Sequence, residues 1–309
     1  MPGKVCGAFP RSPLVDSART ERVETLMAAD LTAAWQRLYG IDVTAEFHGV
    51  EEIGRYRCLD TGLGFFYPRV EASAEIYEQL ARFDWYYMAD KWEYRRAIKD
   101  LGQCSRILEV GCGRGDFLRK LSGRPGMQVM GTELNLQAAA EARSAGFLVQ
   151  GEGMDRLVSE RRGYFDAVCA FQVLEHIAQP RPFIETCLAL LKPGGLLVFC
   201  VPDCGGYLQH GRNILNLPPH HQLWWTKQSL LALQGIFPLR VKTVRYERLA
   251  EYHCDALFTI FKHRLLKATP LLAKLLFNRL AAPVLHQFLK MGRRMFRGQS
   301  IYAVLEKAA

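Results

Sequence analysis

From residue 106 onward, apolar and polar positions alternate between two rhythms. Short unbroken apolar runs of strand length are separated by longer stretches in which apolar residues recur at helical spacing. Strands are predicted at Arg106–Val110, Gln128–Thr132, 147–150 and Phe165–Phe171. A helix over 136–145 is closed by Gly146, and another over 182–191 is ended by Lys192, Pro193, Gly194 and Gly195. Residues 196–201 follow as a continuous apolar strand, the pattern of a central parallel strand covered on both faces. Two further strands are predicted at 240–247 and 300–306, the latter rich in β-branched and aromatic residues. Strands alternating with helices imply an α/β fold with a parallel, doubly wound sheet and right-handed crossovers.

The first strand runs straight into Gly111-Cys-Gly-Arg-Gly115, and the second ends in Gly131-Thr-Glu133. That layout builds a nucleoside pocket at the carboxyl ends of parallel strands. Glycines remove side chains where backbone must approach a ligand, and Glu133 stands where an acid accepts hydrogen bonds from ribose hydroxyls. A dinucleotide fold wants G-x-G-x-x-G with a helix N-terminus facing a pyrophosphate. Here Asp116 stands in the place of the third glycine, and Glu109 lies two residues before the first. Carboxylates there repel a pyrophosphate and suit a cation.

Residues 106–117 and 131–133 resemble motif I and the following acidic position of class I S-adenosylmethionine-dependent methyltransferases. The resemblance implies a Rossmann-like seven-stranded methyltransferase sheet with S-adenosyl-L-methionine as cofactor. Glu109 would help to hold the cationic methionine end, Gly111, Gly113 and Gly115 the bend, and Glu133 the ribose. FDAVCAFQVLEHIAQP at 165–180, with LLKPGG at 190–195, resembles the family's fourth strand and following helix. Phe171 and Gln172 would then line the cofactor, although a pure core role for Phe171 stays open. Glu152 would accept from the adenine amino group, with an exposed loop acid as the rival. Glu175 and His176 are expected to hold a loop.

The second informative stretch is NLPPHHQLWWTKQSL at 216–230, which resembles the loop lying over the active site in many of these enzymes. Histidine has an unperturbed pKa of about 6.5 and suits proton removal from an attacking hydroxyl. His221, and after it His220, are therefore the candidate bases, the alternative being backbone hydrogen bonds that shape the loop. Thr226 is the expected N-cap of a helix running to residue 233. Tyr86, Tyr87 and Trp92 are further candidates to cover the cofactor, since a π-face favours a sulfonium; core packing is the alternative.

Residues 1–95 read as a separate N-terminal region. Residues 53–68 resemble the zinc knuckle that precedes many bacterial methyltransferase domains, but Thr61 replaces the cysteine partner of Cys58 and no earlier pair exists. Four-coordinate zinc is thus excluded there and no metal site is expected. Residues 85–97 are expected to form a helix leading into the core. Nine scattered cysteines, without any C-x-x-C, argue for free thiols in a reducing compartment; Cys112 reads as a small buried residue. The first twenty residues lack an apolar signal region, and no run of about 18 apolar residues suggests a span.

The net charge of +9 is concentrated rather than spread. Between Cys254 and Gly298, nine lysines and arginines face Asp255 alone, interleaved with leucines. A basic amphipathic element on an anionic membrane is one expectation and a packed helical hairpin the other. Nucleic acid is disfavoured because no binding module accompanies the charge.

These features divide the chain into 1–95, a core of 96–250 plus 299–309, and a basic helical insertion of 251–298 before the last strand. The implied activity is methyl transfer to a small-molecule, sugar, glycan or lipid-linked acceptor, in the cytoplasm with peripheral contact at the inner membrane face. A nicotinamide-dependent oxidoreductase and a non-catalytic cofactor-binding or membrane-associated scaffold remain as alternatives.

Overall fold

The computed structural model describes residues 10–151, 154–211 and 213–308. Two sheets organise the chain. The smaller is antiparallel, in the order β1-β2-β3-β9, from β1 (Thr20–Met27), β2 (Glu52–Cys58), β3 (Gly64–Tyr67) and β9 (Leu223–Trp224). The knuckle-like segment is therefore a β-hairpin. Helix α1 (Ala28–Tyr39) packs Leu31 and Trp35 inward and ends at Gly40, whose left-handed conformation closes the helix.

The larger sheet has seven strands in the order β10-β11-β8-β7-β4-β5-β6. These are β4 (Arg106–Val110), β5 (Gln128–Thr132), β6 (Leu148–Gln150), β7 (Phe165–Phe171), β8 (Leu191–Pro202), β10 (Leu239–Arg248) and β11 (Arg297–Lys307). Strands β4 to β8 are mutually parallel, whereas β11 runs antiparallel between β8 and β10. Short helices cross between the parallel strands: α4 (Asp116–Ser122), α5 (Leu136–Ser144), α6 (Met154–Arg161) and α7 (Pro180–Leu190). All seven residues of β7 are buried, as a strand covered on both faces requires. Order reverses around β4, and the loops at the carboxyl ends of β4 and β7 meet there, which is where an open α/β sheet binds ligands.

Two expectations change. The helix predicted over 85–97 begins only at Trp92, as α3 (Trp92–Asp100), preceded by α2 (Ala74–Leu80) and a turn-rich stretch. Phe83, Trp85, Tyr86 and Tyr87 pack ring against ring there, an arrangement that helical spacing does not require. The N-terminal region is also not separate: β9 comes from the loop after β8 yet completes the small sheet. Cys204, Ile214, Leu217 and Trp224 share one core with Trp35, Phe66 and Leu80.

After α8 (Lys227–Ile236) and β10 come α9 (Cys254–Ala268), α10 (Pro270–Leu276) and α11 (Ala281–Gly292). Leu249, Cys254 and Leu257 root this group, with Tyr207 and Leu289 against them, and Phe258 meets Phe277 and His286 inside it. Its exposed residues include large apolar ones, Leu271, Leu275 and Leu280, then Val284, Phe288, Met291 and Met295 at helical spacing, with Lys274 and Arg279 exposed among them. Among the described residues, no helix is long and apolar enough to cross a membrane.

Candidate active site

Strand β4 delivers the chain to a bend that only glycine tolerates. Gly111 has φ +72° and its missing side chain would strike Val173 at 2.5 Å; Gly113 has φ +52° and faces the Tyr87 ring. The backbone N–H groups of Gly111 and Cys112 donate to the Thr132 carbonyl at 2.8 and 3.0 Å, tying the bend to β5. Cys112 is buried against Gly131, and burial pushes its thiol far up, so it is a packing residue.

Glu133 leaves β5 half-buried. One carboxylate oxygen accepts from the Gly113 N–H and the other from the Asn135 N–H, both at 2.8 Å. The acid is thus clamped at the bend with lone pairs to spare, since ionised carboxylates offer about four acceptor positions. Glu109 is 1% exposed, and its Oε2 has no partner. Burial drives its pKa well above the ordinary carboxylate range; Lys91 opposes the shift, while Glu133 and Asp116 add to it. Glu93 and Glu175, also buried, are raised for the same first reason and likewise feel Lys91, Glu175 reaching about 8. Burying carboxylates without partners is costly, so these acids favour positive charge beside them. Lys91 and Glu93 were missed in the sequence, where they look like an ordinary helix start.

Phe171 is in the core, with ring centroids 5.0 Å from Phe117 and 5.5 Å from Tyr94, so the structure favours its packing role. Gln172 turns the chain at φ +57°, a left-handed conformation uncommon outside glycine, while its N–H donates to the Cys200 carbonyl at 2.7 Å. Tyr87 stands over the Gly113 bend, and Tyr86 links it to His220. Trp92 faces Tyr302 of β11 instead. Glu152 lies outside the described residues.

The PPHH loop is fastened to the end of β7. Gln222 and Leu223 donate backbone N–H groups to the Glu175 carbonyl at 2.8 and 3.0 Å, and the indole N–H groups of Trp224 and Trp225 donate to the carbonyls of Asn216 and Leu174. Thr226 caps α8 in a capping box with Ser229, although the helix runs on to Ile236. His220 and His221 are buried, stacked at 4.7 Å, and meet His176 at 4.5 and 4.7 Å. Burial holds His176 down to about 4 and the other two well below the ordinary imidazole value. Burial opposes the imidazolium that His220 or His221 would become in the expected role of base. Glu175 and His176, expected only to hold a loop, sit within this group.

A model of the methyltransferase domain matches residues 78–260, more than half of the chain. The ubiquinone biosynthesis O-methyltransferase of Xanthomonas oryzae pv. oryzae is 36% identical over 111 residues, covering 34% of this chain and 46% of that protein. The enzyme of the same name from Albidiferax ferrireducens is 34% identical over 101 residues, covering 30% and 40%. The chain thus spans less than half of the length of these curated relatives. A solved SAM-dependent methyltransferase from Thermotoga maritima superposes with a TM-score of 0.49 at 14% identity, covering 76% of this chain and 97% of that one.

Proposed function

This chain belongs to the methyltransferase domain family, class I, and from that premise we propose that it moves the methyl group of S-adenosylmethionine to a small-molecule acceptor. The observation that carries the proposal is the unpartnered carboxylate oxygen of Glu109, buried beside a side-chain-free bend. An ammonium or sulfonium beside that oxygen would supply positive charge beyond that of Lys91. A diphosphate would add negative charge to an already acidic interior.

When bound, the cofactor supplies an electrophilic methyl group. In this proposal, Glu109 holds the methionine ammonium and Glu133, fixed by two backbone N–H groups, takes the ribose hydroxyls. Tyr86 and Tyr87 close the bend from the N-terminal side and exclude water. Most of the rate gain in such a displacement comes from holding two reactants in line and removing solvent. The curated relatives are named as O-methyltransferases, which favours an oxygen acceptor.

A second reading concerns where the acceptor is met. The exposed apolar stripe of α10 and α11 lies in a segment rich in lysine and arginine. Beside it opens a cleft of about 680 Å³ lined by Arg95, Arg245, Arg248, Arg293 and Arg294 together with Glu247 and Glu251, Arg293 pairing with Glu251 at 3.5 Å. Apolar side chains flanked by basic ones suit the interface of an anionic membrane, and an arginine-lined cleft suits an acidic headgroup. This favours a lipid-linked or anionic acceptor over a free neutral one.

Calorimetric titration with S-adenosylmethionine and, separately, with NAD decides the cofactor. Saturable binding of the first and none of the second is expected. Binding of NAD alone would overturn the proposal.

A further inference from the structure

The three histidines at the end of β7 have ring nitrogens arranged in an unusual way for a packed core. Two carbonyls fix two tautomers. Nδ1 of His176 lies 2.8 Å from the His220 carbonyl, and Nδ1 of His220 lies 2.9 Å from the Leu215 carbonyl. A carbonyl only accepts, so both Nδ1 atoms carry the proton and each Nε2 keeps a bare lone pair. Nε2 of His220 and Nδ1 of His221 are buried without any hydrogen-bond partner, and so is one carboxylate oxygen of Glu175. One ring nitrogen from each histidine lies within 4.8 Å of the others. The Glu175 carboxylate approaches Nε2 of His176 at 4.0 Å.

A core that merely satisfied its histidines would pair these atoms, since an orphaned buried polar group costs about 1–3 kcal/mol. Converging lone pairs whose far nitrogens donate to backbone carbonyls are instead the arrangement that orients imidazoles on a metal. We propose that His176, His220 and His221 bind one divalent transition-metal ion of the zinc type, with Glu175 beside it supplying negative charge. Imidazole donors select zinc and its neighbours over magnesium or calcium, which prefer oxygen. The ion joins the end of β7 to the PPHH loop, and through β9 to the small sheet, so it acts as a clamp on the wall of the active site. It is distinct from the degenerate knuckle around Cys58, and it does not depend on the identity of the cofactor.

Chelator-treated full-length protein would be titrated with Co²⁺ and followed by visible absorption, then reloaded with Zn²⁺ for X-ray absorption. One cobalt per chain is expected, with low-coordinate d–d bands, and zinc should report nitrogen neighbours at about 2.0–2.1 Å with imidazole scattering. His176→Gln and His220→Gln should each weaken cobalt binding at least ~10–100-fold, the penalty already seen for losing a supporting hydrogen bond. Circular dichroism and urea unfolding of the same variants report that they are folded, whatever the cofactor proves to be. The X-ray absorption experiment needs no variant. Absence of stoichiometric uptake, a shell dominated by sulfur at about 2.3 Å, or unaltered binding in both variants would overturn the site.

Discussion

Glu109 concentrates the chemistry of the site in one side chain. Its carboxyl is raised well above the ordinary carboxylate value, by burial first, so the free protein keeps this proton to a higher pH than an exposed glutamate would. A cationic ligand stabilises the ionised form, and binding then expels that proton. Affinity should accordingly rise with pH until the free-state pKa is passed. Calorimetry in buffers of different ionisation enthalpy should give different apparent heats for S-adenosylmethionine. Glu109→Gln should remove that difference and weaken binding by roughly 1.5–3 kcal/mol, the range for hydrogen bonds to charged groups. Equal heats in the unmutated protein would show that binding leaves the protonation of this acid unchanged. The bend was legible in the sequence because glycine at 111 and 113 answers to backbone geometry alone. The closure of three histidines was not, since it depends on partners far apart in sequence: His176 and His220 are 44 positions apart.

At the scale of elements, local pattern predicted the seven strands well. Gln128–Thr132 and Phe165–Phe171 match residue for residue, and the largely apolar Phe165–Phe171 is buried throughout. The aromatic stretch before α3 was misread as helix because its rings recur at spacings that a turn can also satisfy. Periodicity could not decide what lies on the outer face of α10 and α11. That face predicts sedimentation with anionic liposomes at low salt and release as salt screens the charges within about 10 Å at 0.1 M. Phe288→Ser with Met291→Ser should weaken vesicle binding while leaving the salt dependence intact, since both side chains are exposed and uncharged. A protein that stays in the supernatant at low salt would refute the membrane reading.

For the whole molecule, the buried acids set the direction of the pH response. Burial pushes Glu247 up to about 7, and Glu93 and Glu109 are raised as well. Folded chains therefore hold more protons than unfolded ones between the ordinary carboxylate value and these raised values, and stability falls as pH climbs through that window. His253, lowered to about 4, acts in the opposite direction but only below about 6.5. Urea unfolding of the ligand-free protein should thus show stability declining from pH 6.5 to 8, by at most about 1.4 kcal/mol per pH unit for each such group. A rise over that interval would contradict the buried acids. Saturating cofactor should flatten the slope.

The position of β11 carries a different kind of consequence. It pairs with β8 on one side and β10 on the other, yet it is the last of the seven strands to leave the ribosome. Until residues 297–307 emerge, β8 presents an apolar, unpaired edge to every neighbouring nascent chain. Biosynthesis of this sheet therefore has a vulnerable interval before β11 is made, during which a chaperone holding that edge would protect the chain from misassembly.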